Sequence, residues 1–280
     1  MNYRRIDALR SLLRRCASGL LVGSLVLSIT FAIFSSLGPA ALSEQRWQAL
    51  RARGAWRVGI DPGVYPFSFY GPQGWEGFDA DLMRALSQRL GLQVQTVPVG
   101  YDGFYDAIIA GHADLAMSAL VADPARTADF RYSQPYVDVG LRVISSAARP
   151  LQQISDLRGR CVAVALGGEA DRVARWLERR IPRLDRRVAP DEDRAIAQVR
   201  AGRCDAAIVS GRRALFEGCP LLHTHKFSND LSCFILQSQE YVVAFSRQDA
   251  RMAEAFDAVL TEVIADGTLE RIGQRWFGKR

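Results

Sequence analysis

Short apolar segments of strand character alternate with stretches of helical period along this chain, and they do so in two successive rounds. Residues 56–60 read as a first strand, broken by Asp61-Pro62-Gly63. Over residues 77–90, Leu82, Ala85, Leu86 and Leu90 recur at helical spacing, and Gly91 stops the run. A strand at 93–97, a helix over 101–110 ended by Gly111 and a strand at 114–119 follow. Past Pro135, the extended apolar run 137–145 crosses to a second round: strand 160–166, helix 169–180, short strand 187–190, helix 191–201 and strand 205–209. Residues 45–54 read as a lead-in helix, 241–245 as a returning strand, and 250–264 and 268–276 as closing helices. The segment 211–239 has no readable period. Strand–helix alternation demands a mostly parallel sheet, because parallel neighbours are joined by crossovers that lay helices on the sheet faces. Run twice with two crossings, it predicts an α/β protein of two lobes around a cleft. The expected division is 44–140 and 240–280 for the first lobe and 141–239 for the second, after an amino-terminal segment 1–43.

That segment sets the compartment. Arg4, Arg5, Arg10, Arg14 and Arg15 precede an apolar run over 17–37, the layout of an export signal, with Gly38, Ala40 and Ala41 offering cleavage sites. The run is also nearly long enough to span a bilayer, so an uncleaved anchor with the body outside is the second reading. Cys16 follows Arg15 ahead of the apolar run and does not fit a lipoprotein processing site. Either way the body works in the periplasm or on the extracellular face of the membrane. The net charge of +6 mostly reflects this leader: residues 1–41 carry five Arg and one Asp, leaving 31 basic against 29 acidic residues. No basic cluster with interleaved aromatics occurs, which argues against nucleic acid. Cys161 and Cys204 sit in apolar stretches and read as buried thiols. Cys219 and Cys233 flank a polar loop and can pair, which an exported protein permits. His223 and His225 beside Cys219 lack metal-ligand spacing and read as loop residues; no metal or cofactor is expected.

The chemistry gathers at residues 114–136, DLAMSALVADPARTADFRYSQPY. The strand ends in the small residues Ser118 and Ala119. Asp123-Pro124 then opens a helical turn, Asp as cap and Pro as first residue. Arg126 follows a few residues past the strand end. Free backbone groups at a strand end beside a guanidinium make a socket for a carboxylate, because the planar fork grips both oxygens. A surface Arg on a solvated turn is the plainer alternative in a chain with 36 Lys and Arg residues.

Three motifs carry a resemblance. Phe130-Arg131-Tyr132-Ser133-Gln134-Pro135-Tyr136, Gly77-Phe78-Asp79-Ala80-Asp81-Leu82, and Asp266-Gly267-Thr268-Leu269 through Trp276-Phe277-Gly278 stand in the order found in the bacterial extracellular solute-binding proteins of family 3. The chain resembles that family, which captures polar amino acids for import, over residues 56–278. The resemblance implies a type II periplasmic-binding-protein-like fold, two α/β lobes with a ligand cleft between them. It also implies a monomer that catalyses nothing and hands a small carboxylate-bearing solute to the membrane subunits of an ABC permease.

By the same resemblance, Tyr101 stacks on the solute, Asp61 contacts it, and Tyr65 stands one residue beyond the usual aromatic position, which is Val64 here. Ser118 and backbone groups of Ala119 and Val121 join Arg126. From the second lobe, Gly167-Gly168-Glu169 opens a helix whose N–H groups can hold an anion. Asp61 shaping a turn and Tyr101 serving as core are the plainer readings, and Asp79 and Asp81 read as structural. Departures from the family pattern also count. Val121 stands in place of Ser or Thr, Asp123 in place of Thr, Gly168 in place of Ser or Thr, and Ser210 where amino-acid binders carry an Asp for the ammonium. Either the solute lacks an α-ammonium, or Asp61 or Glu169 neutralises it.

Two other functions compete. The fold also hosts periplasmic cyclohexadienyl or arogenate dehydratases, and Gly167-Gly168-Glu169-Ala170-Asp171 is similar to their Gly-Gly-acid turn, with Asp171 or Glu169 as general acid. A helix's first turn favours acids on dipole grounds alone. An uncleaved anchor would suit a ligand-sensing module.

Overall fold

The computed structural model describes residues 38–222 and 230–278. The export or anchor reading of the leader and the loop holding His223 and His225 lie outside the described residues.

A lead-in helix α1 (Pro39–Arg53) begins with Pro in its first turn and stops at Gly54, whose left-handed backbone accepts the chain reversal. The first round then runs β1 (Ala55–Ile60), β2 (Gly63–Val64), β3 (Ser68–Gly71), β4 (Gly74–Glu76), α2 (Phe78–Leu90), β5 (Gln93–Pro98), α3 (Phe104–Ile109), β6 (Leu115–Ala116) and β7 (Phe130–Tyr132). The crossing is β8 (Val137–Asp138). The second round is β9 (Leu141–Ser146), β10 (Cys161–Ala165), α4 (Glu169–Glu178), β11 (Asp185–Ala189), α5 (Glu192–Arg200), β12 (Ala206–Ser210), α6 (Gly211–Leu215) and β13 (Leu231–Gln237). The chain returns through β14 (Glu240–Tyr241) and β15 (Ala244–Ser246) to the closing helices α7 (Ala250–Ala265) and α8 (Thr268–Phe277).

Two five-stranded sheets share one plan. The first is ordered β5-β1-β6-β15-β7 and the second β11-β10-β12-β9-β13. In each the earliest parallel strand is flanked by the next parallel strand on one side and the third on the other. The fourth position is antiparallel and is filled from the crossing chain, β15 in one sheet and β9 in the other. Each lobe therefore closes its sheet with a strand that arrives from its neighbour. The two crossings also pair with each other, β14 against β8. Buried Asp138 pins them: its Oδ1 accepts the N–H of Gly140 at 2.8 Å and of Gln239 at 3.3 Å, and its Oδ2 accepts the Ser238 hydroxyl at 2.6 Å.

Packing follows the expected faces. Trp56, Val58, Ile60, Leu82 and Leu86 bury one side of the first sheet with Phe256 and Leu260 of α7. In the second sheet Val162, Val164 and Ile208 pack on Ala174 and Leu177, while Ala163, Ala207 and Val209 face Ile196 and Val199.

Three expectations are corrected, and two stretches without a reading are resolved. The run 137–145 is two strands broken at Gly140, and 241–245 divides into β14 and β15. The unread segment 211–239 supplies α6 and β13, which closes the second sheet. Residues 63–76 after β1 fold into a small antiparallel sheet, β2-β3-β4. Phe67 in this stretch is wholly buried against Phe78, Tyr241 and Phe277. Finally, Cys161 and Cys204 are not free thiols: they are joined in a disulfide, because β10–β12 pairing brings their Cα atoms to 4.8 Å. Cys219 and Cys233 form a second disulfide, with Cα atoms 6.0 Å apart.

Candidate functional site

In open α/β sheets ligands bind beyond the carboxyl ends of the strands, where the crossovers on either side of the central strand diverge. In the first lobe that edge carries the loops after β1, β5 and β6. They are tied together by hydrogen bonds. Ser118 Oγ donates to the Asp61 carbonyl at 2.7 Å, Asp61 Oδ2 accepts the Tyr101 N–H at 3.0 Å, and the Tyr101 hydroxyl accepts the Val121 N–H at 3.3 Å. Asp61 Oδ1 meanwhile accepts the Gly63 N–H at 2.8 Å. Asp61 thus binds the loops together, as its turn-shaping reading anticipates.

Two aromatic rings stand out of this edge. Tyr101 is 40% exposed, its ring 5.5 Å from that of Phe104, and Tyr65 is 63% exposed, its ring 5.1 Å from that of Phe69. Ser118 is buried with its hydroxyl committed to Asp61. Ala119 does not offer a free N–H, because Asp79 Oδ2 accepts it at 2.8 Å. Val121 bridges to Tyr241 across the returning chain.

Arg126 ends the 3₁₀ turn Pro124–Arg126, which Asp123 caps through the Ala125 N–H at 2.9 Å. Its guanidinium lies over the Tyr105 ring at 4.5 Å and pairs with Asp123 at 3.4 Å. The side chain is 45% exposed, so the pair is a weak surface contact. The ring beneath fixes the plane of the fork. Tyr105 is itself held by a 2.9 Å contact between its hydroxyl and that of Tyr132, and burial pushes its pKa well up.

In the second lobe the matching loops follow β10, β11 and β12. Gly167, at φ 84°, turns the chain into α4, but its N–H goes to Asp171 Oδ2 at 3.0 Å. Gly168 is the cap position of α4, and Glu169 is exposed with the Gln237 amide at 3.4 Å. Asp171 is wholly buried and ion-paired to Arg175 at 2.8 Å and Arg186 at 2.7 Å. Two guanidiniums and the Gly167 N–H engage both of its oxygens, and it has no exposed surface to offer a solute.

Ser210 caps α6 by accepting the Arg213 N–H at 3.3 Å. Its hydroxyl donates to Glu192 Oε2 at 2.9 Å, and its N–H to Glu192 Oε1 at 2.5 Å. Glu192 was not singled out from sequence: it stands in the acidic first turn of α5, where its neighbours Asp191 and Asp193 look identical in character. Only the fold separates them, since Asp191 caps α5, Asp193 pairs with Arg213, and Glu192 turns to the end of β12. Arg212 was missed as well. It reaches from α6 to the first lobe, donating to the Tyr65 carbonyl at 3.1 Å. It lay in the unread segment, and no local pattern marked it.

Known proteins resemble this chain over most of its length. A family profile described as bacterial extracellular solute-binding proteins, family 3, matches residues 56–279. The L-cystine-binding protein TcyJ of Escherichia coli is 26% identical over 82% of this chain and 85% of its own length. The arginine-binding extracellular protein ArtP of Bacillus subtilis is 25% identical over 79% and 85%. Among solved structures, an ancestral cationic amino acid solute binding protein is 26% identical with a TM-score of 0.54, covering 82% of this chain and 98% of its own. An ancestral cyclohexadienyl dehydratase superposes with a TM-score of 0.67 at 23% identity, covering 82% and 95%, a likeness of fold.

Proposed function

Since the chain belongs to the bacterial extracellular solute-binding proteins, family 3, we propose that its solute is a small molecule with a carboxylate and an ammonium group, held between the carboxyl-end loops of the two lobes. The lobes would be residues 44–140 with 240–280, and 141–239. Residues 1–43 would export or anchor the protein, which would act as a monomer and present its solute to the membrane subunits of an ABC importer. The observation that carries this reading is the pair of matching loop sets, one at the carboxyl edge of each sheet.

Arg126 is assigned the carboxylate. Its partner Asp123 is exposed and its fork is preset by Tyr105, so exchange of one carboxylate for another loses little. Tyr101 and Tyr65 supply aromatic walls whose exposed faces would be covered by a solute. Glu192 is assigned the ammonium. It is half-buried, two hydrogen bonds from Ser210 fix its carboxylate, and no cation pairs with it among the described residues. Ser210 therefore acts as the mount for a carboxylate rather than as its replacement. Asp61 is occupied on both oxygens, and Glu169 is exposed, which makes each a poorer counter-charge.

The relatives named for L-cystine and arginine make those two amino acids the first probes. In a thermal-shift screen of the full-length chain against L-cystine, L-arginine, other amino acids and their 2-oxo acids, a solute at a hundred times its dissociation constant adds about 2.7 kcal/mol of stability. The expected result is a shift with an amino acid, lost in Arg126→Ala and weakened in Glu192→Gln. A shift with the 2-oxo acid but not the amino acid would remove Glu192 from the reading. Turnover of prephenate would replace the whole of it with the dehydratase reading, for which Glu169 is the remaining acid of the Gly-Gly turn.

A further inference from the structure

A buried carboxyl lies behind the first-lobe loops and takes no part in the site as described. Asp79, the second residue of α2, is fully shielded from solvent, and its Oδ2 accepts the Ala119 N–H at 2.8 Å. Ala119 has a φ of 50°, a left-handed conformation that costs a residue with a Cβ and persists only where its surroundings impose it. The flanking residues are pinned too, Ser118 to the Asp61 carbonyl and Val121 to the Tyr101 hydroxyl. Asp79 holds the bend between them. Its own place is fixed by Gly77, whose φ of 124° and contact with the Phe67 carbonyl leave no room for a Cβ.

The groups around Asp79 are few. Tyr136, from the segment before β8, places its buried hydroxyl within reach of the Asp79 charge, yet neither that hydroxyl nor Asp79 Oδ1 has a hydrogen-bond partner of normal geometry. Tyr241 on β14 also senses the charge, and Arg212 on α6 bears on Tyr241 from the second lobe. On α2 itself, Asp81 is directed elsewhere, to Arg84, Arg275 and the Trp276 indole. No cation pairs with Asp79 among the described residues.

From this geometry we infer that Asp79 is a positioning residue: its carboxylate holds loop 118–121 in the shape that meets the solute, so that solute affinity follows the charge on Asp79. The inference rests on the reading of that loop as part of the solute site. A carboxylate accepts an N–H more strongly than a neutral carboxyl does, and adding the proton weakens the one bond that holds Ala119 in its strained conformation. Burial without a cation pushes Asp79 up to about 7, so the change of charge falls near neutrality. The sign is distinctive. Protonation relieves a buried charge and stabilises the fold, while it slackens the loop and weakens binding.

The test is calorimetric titration of the full-length chain with L-cystine and L-arginine between about pH 5.5 and 8.5, alongside the Ala119 amide resonance in the unliganded protein. The window brackets the ordinary change of a group near neutrality. The expected results are a fall in affinity of roughly tenfold towards the acid end, corresponding to about 1.4 kcal/mol, and an Ala119 amide that titrates with the same midpoint. Asp79→Asn keeps an acceptor for Ala119 and flattens both profiles. Asp79→Leu removes the acceptor and lowers affinity at every pH, and if it does not fold, the Asn variant decides. An affinity profile unchanged in Asp79→Asn, or an Ala119 amide that does not titrate in the wild-type chain, overturns the inference. If the wild-type chain binds neither amino acid, the choice of solute fails separately, and the amide titration alone decides the role of Asp79.

Discussion

Two buried aspartates illustrate how neighbours set the work of a side chain. Asp171 is matched by two guanidiniums, and replacing it by Ala leaves the half-covered Arg186 with only its 3.4 Å contact to Glu178. The expected loss is about 3 kcal/mol, read as a lowered urea midpoint with an unchanged slope. Asp79 has no such partner among the described residues, and burial raises its pKa to about 7. A carboxyl whose folded pKa exceeds its unfolded value gives stability that is greatest below the unfolded pKa and is lost as pH rises through the folded one. The window is therefore from about pH 4 to about pH 7, where the folded state binds the extra proton. The wild-type chain should lose on the order of 4 kcal/mol across it relative to Asp79→Asn, measured by urea unfolding at each pH. A difference that stays flat across the window would show that Asp79 is charged throughout.

At the scale of elements, local signals served well where the controlling groups were close in sequence. Asp123-Pro124 announces a capped turn, and the turn is there. Leu82, Leu86 and Leu90 mark α2, and all but the last of these are fully buried. Where the partner was distant, the same reasoning failed. Cys161 and Cys204 look like small apolar residues because each is flanked by apolar neighbours; their pairing exists only once β10 and β12 lie side by side. Removing a bridge that closes a loop of this length costs about 4 kcal/mol, and the shorter Cys219–Cys233 bridge about 3 kcal/mol. Non-reducing mass spectrometry should find both, and Cys161→Ala with Cys204→Ala should lower the thermal midpoint more than the Cys219 and Cys233 pair of replacements. Strand β13 went unread because it follows a stretch with no periodic cue, and its place is given by pairing with β9.

For the whole molecule, two sheets of the same plan exchange their fourth strands through paired crossings at Asp138. Such a connection suits hinged closure, in which a solute that touches both lobes shifts the population towards the closed form. Arg212 on the Tyr65 carbonyl is a contact available to that form. Small-angle scattering should show a smaller radius of gyration on adding the solute that gives the thermal shift. Arg212→Ala should reduce that contraction, and an identical radius with and without solute would exclude closure as the binding step.

The two-lobed α/β plan and the family motifs were legible in the chain, because each rests on periodicity, turn chemistry or residue order. Which atoms stay available to a solute was decided only by tertiary structure. The Ala119 N–H and the Ser118 hydroxyl read as free until Asp79 and Asp61 arrive from elsewhere to accept them. Glu192 becomes distinctive only when β12 brings Ser210 to it. A hydrogen bond or an ion pair is satisfied by proximity in space, and a strand crossover sets that proximity over tens of residues, beyond the reach of any local pattern.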